Sequence, residues 1–119
     1  AVDINDTGMQ VVNLKNIRGF TKEQVQSKLM RLLYKTRLNK LTIDDLQGYN
    51  FVVSDLSNEG VAFFQPLIGY KQSSILGISD IDPKLNRLVL TLVFDHRITE
   101  GKKASNFLRK VKRTVENSL

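Results

Sequence analysis

The run RLVLTLVF, residues 87 to 94, is apolar on both faces apart from Thr91 and the Arg87 that opens it. A strand with one wet face alternates apolar and polar side chains, so this run predicts a strand in the middle of a covered sheet. Two amphipathic patterns supply the cover. Val25, Leu29, Leu32 and Leu33 recur at helical spacing, and Ala104, Phe107, Leu108, Val111 and Val115 do so near the C-terminus. Thr21 and Gln24 form a capping box ahead of the first helix, and Phe20 with Val25 stands at the spacing of a hydrophobic staple. Lys28, Arg31 and Lys35 are expected to face water on that helix, and Thr42 caps a short further turn ending at Leu46.

Other strands are short. FVVS (51 to 54) reads as a buried strand, VAFF (61 to 64) as a further candidate, and SSILGIS (73 to 79) as another. Asp82-Pro83-Lys84 marks a turn, because proline presets the backbone and aspartate bonds its own neighbours. The opening residues read as two short strands around a turn at Asn5 to Gly8. One mixed sheet with helices on a face, α+β in class, fits these elements. With 119 residues and neither repeat nor linker, residues 1 to 119 are expected to form a single domain.

Composition narrows function. The chain has no cysteine, which excludes disulfides, cysteine nucleophiles and thiolate metal sites. No apolar run approaches the roughly 18 residues of a membrane helix, so no membrane partner is expected. A formal charge of +6 would suit a polyanion. The lysines and arginines are spread over two helical patterns, however, so solvated helix faces explain them better than nucleic-acid binding.

His96 is the only histidine, and it stands in FDHRITEG where the apolar run gives out. A lone histidine is more often a hydrogen-bonded structural residue than a catalyst. Its placement favours function, since a strand end is held rigidly yet lies where the chain emerges. No metal is expected there, because no second histidine or cysteine completes a site. Glu100 and Gly101 follow. They read either as the start of the last helix, with the carboxylate near its positive end, or as a tight bend allowing close approach.

FDHRITEG resembles the Asp-His-Arg-x-x-Asp-Gly motif of the dihydrolipoyl acyltransferases of 2-oxo acid dehydrogenase complexes. DDLQGYNFVVSDL (44 to 56), FQPLIGYKQSSILGI (64 to 78) and AVDINDTGMQVVNLKN (1 to 16) resemble three further segments of that family, in the family's order. The resemblance covers nearly the whole chain and the C-terminal half of the family's catalytic domain. It implies a two-layer sandwich like that of chloramphenicol acetyltransferase, forming trimers with active sites between subunits. It also implies transfer of an acyl group between coenzyme A and a lipoyl thiol carried on a separate domain, within a complex containing other dehydrogenase subunits. A cytoplasmic location follows, or the mitochondrial matrix in a eukaryote. His96 falls on the general base and Ser54 on the hydroxyl that stabilises the oxyanion, with Asp95, Arg97, Glu100 and Gly101 completing the motif. Asp95-His96-Arg97, rather than a His-His pair, argues for the dehydrogenase-complex branch. Without the resemblance, Ser54 reads as a strand-end serine bonding local backbone.

Several positions depart from the family pattern. Glu100 replaces an Asp or Asn whose side chain is expected to brace the histidine loop by contact with an arginine. Gly69-Tyr70-Lys71 replaces Asn-Pro-Pro, so a stiff loop is expected to become flexible and basic. Val12 stands for proline and Ser57 for glycine. The family's upstream half, lipoyl domain and peripheral-subunit-binding domain are missing, so a fragment or a partner-completed chain is expected. Three functions therefore compete: an acyltransferase, a non-catalytic assembly module of such a complex, and a polyanion-binding protein drawing on Lys102, Lys103, Arg109, Lys110, Lys112 and Arg113.

Overall fold

The structure is a computed structural model and describes residues 1–3 and 8–118. They fall into two compact units, Ala1–Tyr49 and Asn50–Leu119.

In the first unit, β1 (Val2–Asp3) pairs antiparallel with β2 (Met9–Gln10). The turn expected at Asn5 to Gly8 lies outside the described residues except for Gly8. Helix α1 (Lys22–Arg37) has the expected capping box: the Gln24 amide donates to Thr21 Oγ1 at 3.2 Å, and the Thr21 amide donates to Gln24 Oε1 at 2.8 Å. Leu32 and Thr36 are its buried residues, and Val25 and Leu33 are half-buried. Two lysines expected in water are drawn inward instead. Lys28 donates to the Lys15 carbonyl, and Lys35 reaches Asp45 at 3.2 Å, so both are half-buried while Arg31 stays exposed. Long lysine stems tolerate this, since only the ammonium needs a polar partner. The short helix α2 (Ile43–Leu46) is capped by Thr42 as expected, with Asp45 closing a second capping box.

The second unit carries a three-stranded sheet of β3 (Phe51–Asp55), β4 (Ser74–Ile78) and β5 (Leu90–Phe94), in the order β3-β4-β5. β3 is parallel to β4, and β5 is antiparallel to it. The central position expected for β5 belongs to β4, whose Ile75, Leu76 and Gly77 are buried while every β5 residue is only half-buried. β4 takes the ladder on both sides, whereas β5 is paired on one. β3 was expected to be buried, yet only Val52 is; Phe51 and Val53 are 38% and 44% exposed. Phe51 nevertheless packs on Phe107 of helix α3 (Gly101–Asn117), ring centroids 5.7 Å apart and nearly edge-on. The helix therefore lies on the sheet face carrying Phe51, and the opposite face carries Val52, Ile75, Ser54 and Gly77.

VAFF is not a strand. It belongs to the irregular crossover that a parallel β3–β4 pair requires, and it is pinned where the Asp80 amide donates to the Val61 carbonyl at 2.7 Å. The crossover closes over Gly77, where a Cβ would lie 2.9 Å from Phe64 and 3.3 Å from Pro66. Replacing Gly77 with Ala is therefore expected to destabilise by about 1–2 kcal/mol, because the aromatic ring must shift against a proline. Chemical denaturation reads this directly, and a midpoint equal to wild type would show that the ring moves freely.

The expected turn at Asp82 is present. Its carboxylate accepts from the Lys84 amide at 2.8 Å and the Leu85 amide at 3.2 Å, and its own amide donates to the Arg87 carbonyl at 2.8 Å. Of the apolar face read from the sequence, α3 buries Ala104 and half-buries Leu108 and Val111, while Phe107 and Val115 are exposed. No described helix is long and apolar enough to cross a membrane.

Candidate active site

The chain leaves β5 at Phe94 and turns at once. The Asp95 amide donates to the Ser73 carbonyl at 2.9 Å, and the Asp95 carbonyl accepts from the amides of Ile98 (2.9 Å) and Thr99 (3.2 Å). The Asp95 carboxylate closes the same turn through the Arg97 amide at 2.9 Å and the Arg97 guanidinium at 2.8 to 3.2 Å. Those hydrogen bonds from Arg97 lower the Asp95 pKa from 3.8 to about 2. The carboxylate therefore stays ionised, and the turn stays braced, throughout the range in which an imidazole titrates. The contribution is complete above pH 3.8 and fades only as pH falls toward 2, because the folded value lies below the unfolded one. In water this exposed pair adds little to global stability; its effect is local order.

That turn presents His96. The residue is exposed, its ring rests on Phe94 with centroids 4.6 Å apart, and its nitrogens make no hydrogen bond to another described residue. A structural histidine would be tied down at one nitrogen; this one is steadied by packing, with both nitrogens free of hydrogen bonds to other described residues. It opens on a cavity of about 640 Å³ lined by residues 68–72 and 94–97. A second cavity of about 870 Å³, between α3 and residues 81–90, contains none of the residues expected from the sequence to act in catalysis. Among the described residues no group of three or more His, Cys, Asp or Glu side chains could hold a metal ion.

Ser54 lies near the end of β3, in register with Gly77 and Thr91. It is half-buried, and its hydroxyl makes no hydrogen bond to another described residue, so it is not spent on local backbone. Ser54 and His96 do not meet. Phe94 pairs with Ser74, which pairs with Phe51, three residues from Ser54 along β3, and His96 lies two residues further out. Three residues span about 10 Å and two strand spacings another 10 Å, so the two side chains occupy opposite ends of the sheet in one chain.

The carboxylate that braces the histidine turn is Asp95. Glu100, standing where the family pattern has the bracing Asp or Asn, is exposed, lies at the N-cap of α3 and makes no capping hydrogen bond. Gly101 begins the helix with open space where a Cβ would point, nothing lying within 4 Å, so neither a bend nor a close approach among the described residues requires glycine there. Gly69 to Gln72 is not a slack loop either. The Gln72 amide donates to the Gly69 carbonyl at 3.2 Å, and Gln72 Oε1 accepts from the Gly69 amide at 2.8 Å. Tyr70 and Lys71 line the histidine cavity. The signal for them in the sequence is their departure from Asn-Pro-Pro.

The fold is that of catalytic cores of 2-oxo acid dehydrogenase complexes. In solved structures the same arrangement occurs in a truncated catalytic core of the 2-oxoacid dehydrogenase multienzyme complex from Thermoplasma acidophilum, with a TM-score of 0.83 and 27% identity over 97% of this chain and 54% of that one. It also occurs in an Azotobacter vinelandii dihydrolipoamide acetyltransferase, TM-score 0.73 and 26% identity over 87% of this chain and 47% of that one, studied for the catalytic roles of a serine, a histidine and an asparagine. The dihydrolipoyllysine-residue acetyltransferase component of the Acholeplasma laidlawii pyruvate dehydrogenase complex is 33% identical over 98% of this chain and 23% of its own length. The human mitochondrial dihydrolipoyllysine-residue succinyltransferase component of the 2-oxoglutarate dehydrogenase complex is 30% identical over 92% of this chain and 26% of its own length. The family model for the catalytic domain of 2-oxoacid dehydrogenase acyltransferases matches residues 1–119, and the chain belongs to that family. It spans about a quarter of the length of these two relatives.

Proposed function

We propose that the chain forms part of an enzyme moving an acyl group between coenzyme A and dihydrolipoamide, with each active site assembled from two copies. The carrying observation is the separation of Ser54 and His96 at opposite ends of one sheet, each side chain free of hydrogen bonds to other described residues. Two unpartnered groups suited to one reaction, too far apart to share it, point to a neighbouring protomer as the missing wall.

In this reading His96 removes the proton from the attacking thiol, whose pKa of about 8.5 leaves it mostly protonated at neutral pH. Sulfur adds to the thioester carbonyl, and the Ser54 hydroxyl of the adjoining copy donates to the resulting oxyanion. Collapse expels the other thiolate, which recovers the proton from the imidazolium. Asp95 and Arg97 hold the turn and take no part in the proton transfer. The A. vinelandii enzyme has its asparagine four residues after the histidine. Here that place is taken by Glu100. The lipoyl group would arrive on a separate domain, and the assembly would be a trimer or a multiple of trimers in the cytoplasm or mitochondrial matrix.

Co-assembly of two crippled chains tests the shared site. His96→Ala and Ser54→Ala protomers, each inactive alone, are expected to recover about a quarter of wild-type activity when mixed, because roughly one interface in four of a cyclic assembly then joins two intact residues. Mixed assemblies no more active than either parent would mean the two residues do not share a site across copies.

A further inference from the structure

Lys71 sits where a lysine is costly. Residues 69 to 72 form a turn closed by the Gln72 amide on the Gly69 carbonyl, and Lys71 is its third residue with φ of +62°. A positive φ there favours glycine or asparagine, because a Cβ crowds the neighbouring carbonyl and only asparagine offsets this with a short local hydrogen bond. A long cationic residue kept in a strained position beside a candidate active site points to work done by its side chain. Lys71 makes no ion pair among the described residues; its ammonium lies 5.5 Å from the ring of Tyr70, which is itself 90% exposed. Arg97, the other cation lining the cavity, is already committed to Asp95. Among the described residues the cavity at His96 thus carries one cation, Lys71, without an anionic partner.

We infer that Lys71 is an anion-recognition residue of the His96 cavity, taking a carboxylate or phosphate carried by the thioester substrate. The inference rests on the acyl-transfer reading for its substrate and on the turn geometry for its residue. Two sources share the chemistry: an acyl chain ending in a carboxylate, and the phosphates of coenzyme A.

The test measures affinity first and turnover second, on the assembled protein. Lys71→Met and Lys71→Gly are expected to bind succinyl-coenzyme A about tenfold more weakly, a loss typical of a hydrogen bond to a charged group, with Lys71→Arg retaining most of the affinity. In turnover the change should appear in KM with kcat nearly unchanged, since Lys71 is a positioning group rather than part of the proton transfer. A loss seen with succinyl- but not acetyl-coenzyme A assigns the acyl carboxylate. A loss seen with both assigns a phosphate of coenzyme A: the 3′-phosphate where the dephospho-coenzyme A thioesters abolish the loss, the diphosphate where it persists with them. Lys71→Gly should keep a Tm at or above wild type, because it relieves the turn while losing the anion. Affinities within twofold of wild type for all four thioesters would overturn the inference. Binding is read without turnover, so a wild-type protein that binds but never transfers would sink the acyl-transfer reading and leave the Lys71 contact standing or falling by itself.

Discussion

His96→Ala is expected to lower kcat for acyl transfer by about 10²- to 10⁴-fold, the range for loss of a positioned general base. The residual activity should also change character. Without the imidazole, reaction depends on thiolate already present, and that fraction rises about tenfold per pH unit below the thiol pKa of about 8.5. The variant's rate should therefore climb steeply toward alkaline pH, following the thiolate fraction. Misfolding would not mimic this result. His96 is exposed and makes no hydrogen bond to another described residue, so its removal resembles a surface substitution, within about 0.5 kcal/mol of neutral. Acyl transfer from acyl-coenzyme A to dihydrolipoamide, followed across pH 6 to 9, gives both readouts. Activity within a few-fold of wild type would remove the base assignment.

The sequence announced its elements well where local chemistry decides them. Thr21, Thr42 and Asp82 act through backbone groups within three or four residues, so their caps and turn were legible from spacing alone. Strand order was not. The apolar pattern of residues 87 to 94 speaks of burial, but which strand takes a neighbour on both sides is decided by segments distant in the chain, and β4 won that place. Phe64 misled for a related reason: its apolar character serves to cap Gly77 from an irregular crossover, not to build a strand. At the site, the resemblance singled out His96 and Ser54 together with Asp95 and Arg97, but not the contact between the last two. Asp95 reaches Arg97 two residues away inside one turn, a contact set by backbone direction that spacing alone does not show. Lys71 escaped notice as a cavity residue because its neighbour His96 is 25 residues further along the chain.

Ser54→Ala should lower kcat by about 10²- to 10³-fold with KM little changed, the signature of a donor that acts only when the oxyanion exists. The ground-state carbonyl is a weaker and differently placed acceptor, so binding of the thioester should scarcely sense the missing hydroxyl. The pH profile separates the two roles. Losing an oxyanion donor slows every protonation state alike, so Ser54→Ala should keep the wild-type profile scaled down, in contrast to the climbing profile of His96→Ala. Stability should hold as well, since the hydroxyl bonds no other described residue and alanine keeps the strand's Cβ beside Gly77. If Ser54 instead served only packing, kcat would stay within about threefold of wild type and any effect would appear in denaturation. A rise in KM at constant kcat would be equally damaging, because it would make the serine a substrate anchor and leave the oxyanion to another donor.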